Sequence, residues 1–135
     1  KLKRYSTAEK PLRKAVELSP DNETANDTLA ENLFQISMAV RVNGKPGEEI
    51  DALREVVYFN PEHISAHEHL SDAYDARLSG VKAITHCIIA QRFLSEQKML
   101  KELSLSRVHL DELYTKYKTG PNEFKKVITP RKRYF

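Results

Sequence analysis

The sequence predicts an all-α chain in which antiparallel helix pairs stack side by side and an end helix closes the array. Three observations carry this. The chain repeats itself, because Leu18-Ser19-Pro20-Asp21-Asn22 and Phe59-Asn60-Pro61-Glu62-His63 close two amphipathic runs in the same way. Apolar residues recur at helical rather than alternating spacing. Only 4 Gly and no Trp occur in 135 residues, too little punctuation for a turn-rich β architecture.

At 135 residues the chain suffices for one domain with a modest core. Hydrophobic residues at 40% and charged residues at 30% fit a soluble folded chain rather than a disordered one. No apolar run approaches the roughly 20 residues that span a bilayer. The opening Lys1-Leu2-Lys3-Arg4-Tyr5 has no apolar stretch behind it, so no signal peptide is expected. The chain starts without Met and, on this reading, in the middle of a repeat, so a fragment of something longer is expected. The lone Cys87 excludes an internal disulfide and a multi-cysteine zinc site, and it fits a reducing, cytoplasmic compartment.

The elements follow in order. Ala8, Leu12 and Ala15 form a helical stripe before Pro20, and Leu53, Val56 and Val57 form the equivalent stripe before Pro61. Each Pro stands where a helix has ended, and the polar residues after it can cap the next one. Thr24-Ala25-Asn26-Asp27-Thr28-Leu29-Ala30 then aligns with Ser65-Ala66-His67-Glu68-His69-Leu70-Ser71. The unit is thus a helix, a turn, a second helix and a Pro-bearing turn. One such pair cannot cover its own apolar face, so neighbours must stack.

The most regular unit starts at Ile64. Its first helix carries Ala66, Leu70, Ala73 and Tyr74, and Leu78-Ser79-Gly80 ends it, with Gly80 expected in the left-handed conformation. Its second helix presents the small residues Ala83, Cys87 and Ala90 on one face. Further on, Leu100, Leu103, Leu110, Leu113, Tyr114 and Tyr117 mark an amphipathic end helix, stopped by Gly120-Pro121. The segments are repeats over 1–97 (a half repeat 1–22, an expanded repeat 23–63, a regular repeat 64–97), a capping helix over 98–119 and a basic tail over 120–135.

The pattern Ala66, Leu70, Tyr74, Gly80, Ala83, Ala90 resembles the tetratricopeptide repeat, and the likeness spans 7–94. It implies a right-handed superhelical α-solenoid that binds other proteins. Three departures stand out. His67 replaces a usual large aromatic and Ser71 a usual Gly. The middle unit holds about seven residues more than the 34-residue repeat, around Ile36 to Glu48 and the Asn43-Gly44-Lys45-Pro46-Gly47 stretch. Seven residues are about two helical turns, so longer helices in unchanged phase are expected there.

No Gly-rich phosphate loop, nucleophile elbow or enclosed carboxylate pair is present, so nothing speaks for an enzyme, and no cofactor is expected. His63, His67 and His69 stand close to Glu68 and Asp72, and the i,i+4 spacing of His63 and His67 is one that metal-binding helices use. His63 lies at a helix start and His67 at a packing position, which makes capping and packing their expected roles and no metal site. Cys87 lies on the buried stripe, and its sequence neighbour His86 points about 100° away, so packing is expected of the thiol rather than catalysis.

The binding surface follows from the resemblance, since the first helix of each stacked pair lines the concave face. In one unit these residues are Thr24, Asp27, Glu31, Phe34 and Gln35, and in the next Ser65, Glu68, Asp72, Asp75 and Ala76. Chaperone-binding relatives grip a terminal carboxylate with Lys, Arg and Asn. Here those positions hold Asp27, Glu31, Thr28, Ser65 and His69, so that clamp is absent. An acidic face repels a carboxylate and favours a basic or neutral protein segment. Phe34 is expected as an exposed aromatic anchor within it. The partner-binding residues are therefore Asp27, Glu31, Phe34, Gln35, Glu68, Asp72 and Asp75, and the expected role is that of a scaffold or adaptor. The bland alternative is that these are solvated helix faces.

The tail has the opposite sign. Lys116, Lys118, Lys125, Lys126, Arg131, Lys132 and Arg133 stand against Glu123, interleaved with Tyr117, Phe124, Tyr134 and Phe135. Such a segment can meet nucleic acid or an anionic surface, or dock in an acidic groove of its own or of a neighbouring molecule. A solvated tail is the plain expectation, and nucleic-acid binding stands second to protein binding. Leu12, Ala15 and Val16 of the half repeat offer apolar surface through which two copies could associate.

Overall fold

A computed structural model of the chain describes residues 2–43 and 46–132. Gly44 and Lys45 of the expanded repeat, and Arg133, Tyr134 and Phe135 of the tail, lie outside the described residues. Among the described residues six helices follow one another: α1 (Leu2–Leu18), α2 (Glu23–Asn43), α3 (Pro46–Phe59), α4 (Ile64–Ala76), α5 (Gly80–Glu96) and α6 (Leu100–Lys116). A single 3-10 turn, Pro121–Phe124, comes after them. The described residues contain no strand, and the chain is all-helical. They gather into two compact units, one reaching to Ala66 and including Arg131 and Lys132, the other running from His67 to Pro130.

In the first unit the two proline turns are built alike. The N–H of Ser19 bonds the Ala15 carbonyl at 3.0 Å and that of Asn22 the Ser19 carbonyl at 3.0 Å. The second turn repeats this with Asn60 to Val56 at 2.9 Å and His63 to Asn60 at 3.1 Å. Two residues after each Pro comes the cap. Asn22 Oδ1 accepts the Ala25 N–H at 2.9 Å, and His63 Nδ1 accepts the Ala66 N–H at 3.1 Å. Each cap satisfies one donor that a helix start leaves without a partner. Helix α2 runs unbroken for 21 residues.

Leu29, Ala30, Leu33 and Phe34 of α2 pack with Ile50, Leu53 and Val56 of α3 as the core of this unit. Helix α1 is held partly by polar ties. Asn32 donates to the Tyr5 carbonyl at 3.0 Å, and Arg13 reaches Glu9 at 2.8 Å and Glu55 at 2.7 Å. Leu12 and Val16 are half-buried, whereas Ala15 is exposed.

In the second unit Ala83, Cys87 and Ala90 are buried, as their small size on one stripe predicts. Ser71 is enclosed and donates its hydroxyl to the Ala83 carbonyl at 2.7 Å. A serine is tolerated here because its one polar group has a partner. His67 and His86 meet through their Nδ1 atoms at 3.0 Å, and Tyr74 stacks on His86 with centroids 5.6 Å apart. The inner cluster is Ile84, Cys87, Leu110, Leu113 and Phe124, with Ile88, Tyr114, Tyr117 and Val127 against it. Leu100, expected on the apolar side of the end helix, is instead exposed at the start of α6.

One expectation needs correction. Gly80 does not take the left-handed conformation; the residue that does is Leu78, with φ 57°. Lys98 (φ 56°) and Lys118 (φ 53°) end α5 and α6 in the same way. In each case two backbone bonds close the helix, as when Leu78 N–H meets the Asp75 carbonyl at 2.9 Å and Ser79 N–H the Tyr74 carbonyl at 2.9 Å. What requires glycine at position 80 is proximity, because a Cβ there would lie 2.5 Å from Cδ1 of Tyr117.

Candidate functional site

The acidic residues singled out in the sequence fall into two groups, one in each unit. In the first unit, Glu23 and Asp27 stand one helical turn apart on α2 and so share a face. Between them lies a cation from the tail. Lys132 Nζ donates to Glu23 Oε1 at 3.1 Å and to Asp27 Oδ2 at 2.8 Å, while its backbone N–H donates to Glu62 Oε2 at 3.0 Å. Burial alone would lower the lysine pKa; the hydrogen bonds to Asp27 and Glu23 outweigh it and hold the ammonium charged. Oδ1 of Asp27 is enclosed and has no hydrogen-bond partner among the described residues.

A turn further along α2, Glu31 accepts from Gln35 Nε2 at 2.7 Å and faces His63 Nε2 at 3.1 Å. Since His63 Nδ1 is the acceptor of the Ala66 cap, its Nε2 carries the proton and donates to Glu31. His63 is thus a cap and a bracket for Glu31. Phe34 is not the exposed anchor the sequence predicts. It is 9% exposed, with its ring tilted against His63 at 4.7 Å between centroids, because the helical stripe of Leu29, Ala30 and Leu33 continues through it into the core.

In the second unit, Glu68 and Asp72 stand one turn apart on α4 and border a cavity of about 320 Å³. Glu102 and His109 of α6 border it too, with Ser71, Cys87, Ala90, Leu105 and Ser106 as the rest of its lining. Three carboxylates thus face one imidazole. Loss of solvent, followed by the charges of Asp72 and Glu102, pushes the Glu68 carboxyl above its usual range. The Asp72 carboxylate, 3.5 Å from His109 Nε2, draws the imidazole pKa above its ordinary value of 6.5 against the opposing effect of burial.

Asp75, the third predicted residue of this unit, has partners already. It accepts from Lys116 Nζ at 2.8 Å and from the Tyr117 hydroxyl at 2.6 Å, and so ties the end of α4 to the end of α6. Its carboxyl feels the upward push of burial, but these bonds prevail and hold it below the usual range.

The remaining candidates have structural roles. His67 is buried against His86 and Phe93. Cys87 is buried, and loss of solvent pushes its thiol up to about 11, which keeps it protonated and unreactive at neutral pH.

The tail is not a solvated strand over its described length. Phe124 sits in the inner cluster, and Arg92 donates to the Val127 carbonyl at 2.6 Å and to Thr129 Oγ1 at 2.9 Å. Lys118, Lys125 and Lys126 remain on the surface.

Glu23, Glu62, Glu102 and His109 belong to these faces but were not among the residues chosen from sequence. Glu23 alone had a local signal, four residues before Asp27 on the same helix face. Comparisons with protein-family models, with curated proteins and with solved structures return no match.

Proposed function

We propose that this chain is a protein-interaction module of the tetratricopeptide kind, acting as a scaffold or adaptor, whose acidic helix faces receive a basic segment of a partner. The right-handed superhelical stacking that the resemblance implies is part of the same reading. Its main support is the seat of Lys132, where an acidic face of α2 already holds a basic side chain of an extended segment by its ammonium and its backbone. The alignment of Asp27 with Glu68 and of Glu31 with Asp72 puts carboxylates of the same sign on the corresponding face of α4, beside the 320 Å³ cavity.

Binding then rests on charge pairing in partly desolvated grooves, which favours lysine and arginine and rejects acidic segments. The test compares two synthetic peptides of equal length, one rich in Lys and Arg and one rich in Glu, by fluorescence anisotropy. The basic peptide is expected to bind, with affinity falling as salt rises, and Glu68→Lys with Asp72→Lys to weaken it at least about tenfold while the helical circular dichroism stays unchanged. Equal binding of both peptides, or none by either, refutes the reading.

A further inference from the structure

We propose that Lys132 is an internal stand-in ligand, occupying and withholding a docking face on the first unit (Glu23, Asp27 and Glu62) that is built for an arginine-bearing segment of a partner. This rests on the reading above and adds the side chain preferred and the group that competes for the place.

The charges do not balance with lysine in place. The single ammonium meets two carboxylates of α2, while Glu62 of the turn before α4 accepts only the Lys132 backbone N–H, and Glu31 continues the same sign a turn further along. The donors do not match either. An ammonium is a compact point charge, and here it meets a single oxygen of Asp27. The other oxygen is enclosed with no donor among the described residues. A guanidinium presents parallel N–H groups in a plane and meets both oxygens of a carboxylate at once. The same face therefore offers an arginine more than it gives Lys132.

The stand-in holds its place because it is tethered. Belonging to the same chain delivers Lys132 to this face at an effective concentration on the order of millimolar. A free partner must outcompete that concentration. A module so arranged answers only to a ligand better than its own tail, and its measured affinity is reduced by the fraction of molecules in which the face is occupied.

The experiment uses the tail itself as probe, a labelled synthetic peptide of residues 127–135, and a second peptide with Lys132→Arg. Each is titrated by fluorescence anisotropy into the full chain, the Lys132→Ala variant and the chain ending at Pro130. The two altered chains are expected to bind the tail peptide about tenfold more tightly than the full chain. The arginine peptide should bind them several-fold more tightly still, and Asp27→Asn should erase that difference.

Equal affinity of the full chain, the Lys132→Ala variant and the shortened chain overturns the withholding. Equal affinity of the two peptides overturns the arginine preference. Should the shortened chain lose its helical signal, Lys132→Ala, which keeps every residue of the tail backbone, decides the matter. If peptides lose affinity on the Glu68→Lys, Asp72→Lys chain but respond to no change at Asp27 or Lys132, this inference falls while the proposed function stands. If no basic peptide binds any variant, both fall.

Discussion

At the scale of the residue, two exchanges involving glycine should move stability in opposite directions. Gly80→Ala would ordinarily favour a helix, yet its methyl must enter the space of the Tyr117 ring, whose atoms lie 2.5, 2.6 and 2.9 Å from the Cβ position. Moving that ring also strains the hydroxyl bond to Asp75. A loss of about 1–3 kcal/mol is expected in urea unfolding. Lys98→Gly relieves a residue held at φ 56° and should gain about 1 kcal/mol in the same measurement. Agreement in sign between the two would show that backbone conformation, rather than contact, governs position 80.

The His109–Asp72 pair gives a pH dependence of known sign. With its pKa raised in the folded state by the Asp72 carboxylate, His109 contributes stability that is fully present below the ordinary value of 6.5 and fades as pH rises through the higher folded value. An NMR titration of the ring protons should place the midpoint above 6.5, and Asp72→Asn should bring it down. A midpoint unmoved by that substitution would remove Asp72 as the cause.

At the scale of the element, the segment after α6 is part of the second unit's packing rather than an appendage. Its charge gave no sign of this, because six basic residues read as a solvated run while a single Phe124 fixes the backbone against Ile84, Leu110 and Leu113. Phe124→Ala should cost about 3 kcal/mol, visible as a lower midpoint of thermal unfolding. Lys125→Ala, on the exposed side, should change little. The proline turns show the opposite case, where local chemistry is enough. Pro20 and Pro61 end their helices, and the second residue after each supplies the cap although one is Asn and the other His. An imidazole nitrogen and an amide oxygen at the same place serve one backbone N–H equally.

At the scale of the whole molecule, what was legible followed from contacts between residues near in sequence. Helix periodicity, the small-residue stripe of Ala83, Cys87 and Ala90, and the turns all belong to that class. The burial of Phe34 was missed because its polar neighbours Glu31 and Gln35 suggested a solvated face, whereas the stripe from Leu29 through Leu33 runs past it into the core. The seat of Lys132 lay beyond local reading, since Asp27 is 105 residues away and no periodicity links them. The candidate face in the second unit was half legible: Glu68 and Asp72 follow from the repeat, whereas Glu102 and His109 reach the same cavity from α6. A formal charge of +3 for the chain thus conceals faces of the other sign, and the local field rather than the sum decides what approaches.

The left-handed residues Leu78, Lys98 and Lys118 carry one more consequence. Helices α5 and α6 both contain 17 residues and enter and leave with nearly the same backbone angles. That equality is a length standard. A duplicated 20-residue cassette from Ser79 to Lys98 would begin and end in the conformations its neighbours already have, so the chain could lengthen by whole strokes. One extra residue inside a helix would instead turn every later side chain by about 100° and set the apolar stripe facing water. An insertion between α5 and α6 is therefore expected to be tolerated as a whole 20-residue cassette and not as one added residue.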